Sequence, residues 1–125
     1  MRIFLAGNPN VGKSVLFNRL TGMRVFVSNY AGTTVDYCTG YTEINGKKTE
    51  IIDVPGVYSL SAENQAEEVA TRILEGCSED DVVASVLDAT NLRRGLHLTL
   101  ELMERCCPMV MAVNMMDVAA RSGII

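Results

Sequence analysis

Gly7-Asn8-Pro9-Asn10-Val11-Gly12-Lys13-Ser14 is the stretch that decides how this sequence is read. It fits G-x-x-x-x-G-K-[ST], the spacing of a phosphate-cradling P-loop. The glycines let the backbone turn so that successive N–H groups point inward at phosphate oxygens. A helix beginning near Lys13 adds the positive end of its dipole. Lys13 is the expected contact to the β and γ phosphates, and the Ser14 hydroxyl the expected Mg²⁺ ligand. The candidate nucleotide-binding residues here are Asn8, Pro9, Asn10, Val11, Gly12, Lys13, Ser14 and Val15. The plainer alternative is a glycine-rich turn that binds nothing.

The flanks agree with the functional reading. Residues 2–6 form a short apolar strand-like run before the loop, and residues 13–20 carry apolar residues at helical spacing after it. Gly22 stands where a helix of this length stops. Residues 23–34 show no period and read as irregular. Residues 37–44 and 47–54 flank Asn45-Gly46, the strongest short-range hairpin signal, because both residues tolerate positive φ. Further along, residues 64–74 read as a helix, 81–87 as a buried strand, 92–105 as a helix and 108–113 as another buried strand. Residues 117–122 open a last helix. Strands alternating with helices predict an α/β fold: a doubly wound sheet, mostly parallel, with one antiparallel edge strand. The chain is expected to form one domain, 1–125.

Three further patterns refine the chemistry. Asp53-x-x-Gly56 ends the third predicted strand. There Asp53 is suited to holding Mg²⁺ and the Gly56 N–H to meeting a γ-phosphate, while a strand-ending turn is the alternative. Asn114-x-x-Asp117 ends the fifth. An amide and a carboxylate there suit guanine, with Asp117 accepting from the ring N1–H and the exocyclic amine; a helix N-cap is the alternative for Asp117. Thr33 and Thr34 lie in the irregular segment, where a threonine can bind Mg²⁺ and γ-phosphate and let go after hydrolysis. Spacing does not decide between them. Val57 follows Gly56, where many GTPases have a water-orienting glutamine, and valine cannot orient water.

Composition narrows the partners. A formal net charge of −4 argues against a general nucleic-acid surface, so no nucleic acid is expected. No apolar run reaches the ~18–20 residues that span a bilayer, and no signal peptide precedes the first strand. The chain as given is expected to be soluble. Cys38, Cys77, Cys106, Cys107 and the single His97 lack ligand spacing, so iron binding by this segment is not expected.

These motifs together resemble the cytosolic G domain of the ferrous iron transport protein B (FeoB) family. The resemblance rests on residues 7–22 (GNPNVGKSVLFNRLTG), 53–62 (DVPGVYSLSA), 87–92 (LDATNL), 98–104 (LTLELME) and 114–117 (NMMD). It implies a Ras-like P-loop GTPase fold and slow hydrolysis of GTP to GDP and phosphate. The catalytic residues are then Lys13, Thr34 and Gly56, the Mg²⁺ ligands Ser14, Thr34 and Asp53, and the guanine contacts Asn114 and Asp117. Asn10 matches the P-loop asparagine of potassium-stimulated relatives and is the candidate K⁺ ligand. Ala31 and Tyr30 depart from the proline and tryptophan common in the family.

The implied partners are GTP, GDP, and the remainder of an iron transporter: a helical regulatory region and a membrane domain. The parent protein would sit in the inner membrane with this domain on the cytoplasmic face. Related G domains continue with another helix and strand and a guanine-contacting loop. The segment is therefore expected to be incomplete at its C-terminus, with weakened guanine affinity and an exposed face open to self-association. Two other readings stay open: a soluble ribosome-assembly or tRNA-modification GTPase, and a nucleotide-sensing module with little turnover.

Overall fold

The computed structural model describes residues 1–22, 25–105 and 108–123. Cys106 and Cys107 lie outside the described residues. In chain order the elements are β1 (Arg2–Gly7), α1 (Lys13–Thr21), β2 (Val25–Asn29), β3 (Asp36–Ile44) and β4 (Lys47–Asp53). Then come α2 (Gln65–Glu75), β5 (Val82–Asp88), α3 (Leu92–Met103), β6 (Met109–Asn114) and α4 (Met116–Arg121). The strands form one six-stranded sheet in the order β2-β3-β4-β1-β5-β6. β1 pairs in parallel with β4 and β5, and β5 with β6. Only β3 runs against the others, since it is antiparallel to both β2 and β4. This is the mostly parallel α/β sheet with one reversed strand that the sequence predicts.

Two local expectations are corrected. Residues 25–29, read as irregular, form β2, which lies outside β3 and so moves the reversed strand in from the edge. The pattern hid it because an edge strand open on both faces has no alternation: neighbouring Phe26 and Val27 are 60% and 64% exposed. Residues 109–114, read within a buried strand, form the opposite edge. There Val110, Met111 and Val113 are all exposed, since β6 pairs with β5 on one side only. Its apolar run resembles that of the central strands, but its place in the order differs.

Period-two alternation in the central strands builds two cores. Phe4 and Ala6 of β1, Ile52 of β4 and Val83 of β5 face Ala70 and Leu74 of α2 and Leu98 and Leu102 of α3. Their neighbours Leu5, Ile51 and Ala84 face Phe17 of α1. Helix α2 starts at the N-cap Asn64, whose Oδ1 accepts from Glu67 N at 2.9 Å. Glu67 returns its Oε1 to Glu63 N at 3.1 Å, tying the turn before the helix.

The far end of β1 is locked by Asp81, buried and held by the Arg2 guanidinium at 2.8 Å and the Arg2 N–H at 2.9 Å. Ser78 N and Oγ add bonds of 3.0 and 3.1 Å. Burial pushes the Asp81 carboxyl up, but these donors outweigh it and hold it well below the usual carboxylate range.

Candidate nucleotide-binding site

β1 stops at Gly7 because the chain must turn under β5: a Cβ at position 7 would lie 2.7 Å from the Val86 carbonyl oxygen. The loop then passes through the left-handed region at Asn10 (φ 65°) and again at Gly12 (φ 83°), the N-cap of α1. The positive φ favours glycine at position 12, and a Cβ there, 2.0 Å from Asn114 Nδ2, would displace the Asn114 side chain. No side chain caps α1, which leaves its first-turn N–H groups facing an anion-sized space. That space is an open cleft of about 470 Å³ lined by Asn8, Pro9, Asn10, Gly12, Lys13, Ser14, Val15 and Gly56.

Lys13 is buried at the floor of the cleft. Its Nζ donates to Asp53 Oδ1 and, at 2.7 Å, to the Val54 carbonyl. Asp53 ends β4, in register with Leu5 of β1 and Cys38 of β3. Burial and the charge of Asp53 push the Cys38 thiol up. Past Asp53, the chain crosses directly over the P-loop, and a Cβ on Gly56 would stand 3.0 Å from Pro9 Cα. Val57 N donates to the Gly7 carbonyl at 3.1 Å, and Asn8 Nδ2 donates to the Val57 carbonyl at 2.9 Å. The Val57 side chain is buried among Phe4, Leu60 and Leu98. It is thus both apolar and turned into the core, so position 57 offers nothing to a water in the cleft.

The two threonines separate by their bonds. Thr33 Oγ1 donates to the Tyr30 carbonyl at 2.9 Å and accepts from Val35 N at 3.1 Å, so it is spent on its own turn. Thr34 is exposed, and its hydroxyl donates to Gln65 Oε1 of α2 at 3.2 Å. Thr34 is not among the described residues lining the cleft.

Asn114, the last residue of β6, donates from Nδ2 to the Val11 carbonyl at 2.9 Å. Its side chain therefore braces the P-loop, a task invisible in the N-x-x-D spacing. Met115 takes a left-handed conformation (φ 59°) and is the N-cap of α4. Asp117 is consequently in the first turn rather than at the cap. It is exposed and paired with Arg121 at 3.4 Å.

The structure thus brings Asn8–Val15, Asp53, Gly56 and Asn114 around one loop, whereas Thr34 bonds to Gln65 and Asp117 to Arg121. Asp53, Ser14 and Thr34 are hard oxygen donors, the chemistry Mg²⁺ takes. Sequence reasoning treated Asn8 only as a nucleotide contact, whereas its buried amide links the P-loop to the segment after Gly56. No sequence signal marks that link.

A P-loop preceding α1, an Asp-x-x-Gly crossing over it and an Asn-x-x-Asp at the end of β6, on this sheet order, define a G domain of the P-loop GTPase fold. The sequence profile of the family described as ferrous iron transport protein B matches residues 1–125. The chain is 49% identical over 102 residues to the Fe(2+) transporter FeoB of Methanocaldococcus jannaschii, a match covering 82% of this chain and 15% of that protein. The cytosolic domain of the T. maritima FeoB iron transporter in its GMPPNP form superposes with a TM-score of 0.91 at 36% identity, covering 98% of this chain and 48% of that one. An S. thermophilus NFeoB E67A mutant bound to GDP superposes with a TM-score of 0.88 at 41% identity, again covering 98% and 48%. This chain belongs to the ferrous iron transport protein B family. It spans only about 15% of the length of the transporter relative above. Among the described residues no helix is long and apolar enough to cross a membrane.

Proposed function

We propose that this domain binds GTP and GDP with Mg²⁺, hydrolyses GTP slowly, and thereby regulates ferrous iron uptake by the transporter that carries it. The observation that carries this reading is the convergence of Lys13, Asp53 and Gly56 on one glycine-turned loop. Lys13 neutralises charge on the β and γ phosphates, and the N–H groups of the loop and of the first turn of α1 cradle their oxygens. Ser14, Asp53 and Thr34 hold Mg²⁺, which supplies further charge neutralisation when bound. Thr34 reaches that position by leaving Gln65. The Gly56 N–H orients the γ-phosphate for in-line attack by water. Asn114 and Asp117 read the guanine edge. The partners follow: GTP and GDP, then the helical regulatory region and membrane domain of the transporter, with this domain on the cytoplasmic face of the inner membrane.

Because position 57 contributes no water-orienting group, hydrolysis must recruit another group or an ion. Asn10, exposed in its left-handed turn, is the proposed K⁺ ligand beside the phosphates, with backbone carbonyls near Asn29, the last residue of β2, completing the shell. The same burial of Val57 also favours a second reading, a nucleotide sensor with little turnover. Measuring phosphate release and GTP, GDP and ATP affinity, with Mg²⁺ or a chelator and in K⁺ or Na⁺ buffer, tests all of this. Mg²⁺-dependent guanine selectivity with K⁺-stimulated release supports the leading reading. Tight binding without release supports the sensor. Equal affinity for ATP overturns the guanine assignment, and equal rates in K⁺ and Na⁺ remove the role of Asn10.

A further inference from the structure

The segment that carries Gly56 is gripped from two sides, and only one grip belongs to the P-loop. On that side lie the Pro9–Gly56 approach and the bonds from Val57 N to Gly7 and from Asn8 to Val57. On the other side lies α3. Glu101 Oε2 accepts the Leu60 N–H at 2.9 Å, and its Oε1 meets His97 Nε2 at 3.2 Å. About two turns earlier on α3, the Arg94 guanidinium lies over the Tyr58 ring, 4.8 Å from its centre. Residues 94, 97 and 101 share one helical face. Between them, Val57 and Leu60 insert into the core against Leu98 and Leu102. The helix is also drawn against the sheet: a Cβ on Gly95 would lie 2.5 Å from Leu87 Cδ2. The loop between Gly56 and α2 is therefore pinned at three points, with Val57 and Leu60 inward and Tyr58 and the Leu60 amide onto α3.

We propose that this face of α3, with Glu101 as its chief member and Arg94 as support, positions the Gly56 amide for hydrolysis. These are positioning residues, since they act through Leu60 and Tyr58. Only Val57, Tyr58 and Ser59 separate Gly56 from its anchor at Leu60, so freeing the Leu60 amide leaves the Gly56 N–H held from the P-loop side alone and loosens its placement. A misplacement of an ångström at a reacting group costs rate far more than it costs ground-state affinity. A purely structural bond would instead be read only in stability. The inference rests on the GTPase reading above.

The test uses the full chain that carries this domain, as wild type, Glu101→Ala, Glu101→Gln and Arg94→Ala. Expected for Glu101→Ala is a fall in kcat of about tenfold, with GDP affinity within about twofold. Glu101→Gln keeps an acceptor oxygen and is expected to retain most of the rate. Arg94→Ala, a surface change that leaves the core intact, is expected to lower kcat by about threefold with an unchanged melting temperature. Amide exchange across residues 57–62 is expected to rise in Glu101→Ala, with GDP or a non-hydrolysable GTP analogue bound. A lowered melting temperature with unchanged kcat and exchange in both alanine variants overturns the proposal. Wild-type protein that binds guanine nucleotide without releasing phosphate overturns the GTPase reading instead, and the exchange measurement then still decides whether α3 holds the loop.

Discussion

The side-chain amide of Asn114 and the main-chain carbonyl of Val11 are 2.9 Å apart, although 103 residues separate them in the chain. One hydrogen bond thus joins the end of β6 to the loop at the end of β1, and couples the Asn-x-x-Asp motif to the P-loop. Asn114→Ala removes a part-buried bond and is expected to cost about 1 kcal/mol of stability without nucleotide. Binding of pyrophosphate, which has no base, is expected to weaken along with GDP. Denaturant unfolding and calorimetry with the two ligands check this; pyrophosphate affinity equal to wild type limits Asn114 to the base.

Asp117 is the complementary case. It is exposed and held only by Arg121 at 3.4 Å, so Asp117→Asn is expected to leave stability within about 0.5 kcal/mol. If its carboxylate accepts from guanine, GDP affinity falls by roughly 2 kcal/mol while affinity for the xanthine nucleotide rises. Competition between the two diphosphates reads the exchange. Unchanged preference removes Asp117 from the site.

Gly56→Ala sets a Cβ at 3.0 Å from Pro9 Cα, and backbone cannot rotate aside. The crossing segment and the P-loop must give way by a few tenths of an ångström. The expected result is a fall in phosphate release of about tenfold, with GDP still bound because Lys13 and the loop amides remain. Single-turnover assays beside GDP titration distinguish this from general unfolding, in which both are lost.

Stability below neutral pH is expected to reflect Asp81. Its folded carboxyl titrates below its ordinary value of 3.8. Its contribution is therefore complete above that value and is lost as pH falls below it toward the depressed folded pKa. Asp81→Asn removes the charge that Arg2 pairs with, and is expected to destabilise by about 1–3 kcal/mol at neutral pH. The gap between variant and wild type should narrow on acidification below pH ~4. Unfolding curves at pH 7 and pH 3 measure it. A gap that is constant with pH assigns the destabilisation to packing instead.

Glycine chemistry and strand–helix alternation made most of the fold and the shape of the candidate P-loop legible in the sequence. Gly7, Gly12 and Gly56 each sit where a side chain would collide, so their spacing carries the geometry directly. The Asn45-Gly46 hairpin was legible for a different reason, both residues having positive φ in open space. What escaped was whatever depends on place in the sheet. β2 lacked alternation because both its faces are open. β6 resembled a buried strand because its composition says nothing about which strands flank it. The contacts of Asn8, Asn114 and Glu101 escaped for a related reason: each spans 41 residues or more, and no local pattern records a partner that distant.

The reversal of β3 gives the sheet two unlike ends. The C-terminal ends of β1, β4, β5 and β6 and the 30–35 turn after β2 gather at one end, and Asn45-Gly46 projects from the other. With the nine residues of β3 between them, the two ends stand about 30 Å apart. The hairpin tip is thus a natural handle. A dye, a surface tether or a short peptide tag grafted at Asn45 would hold or report on the domain from its distal pole, leaving the P-loop end unencumbered.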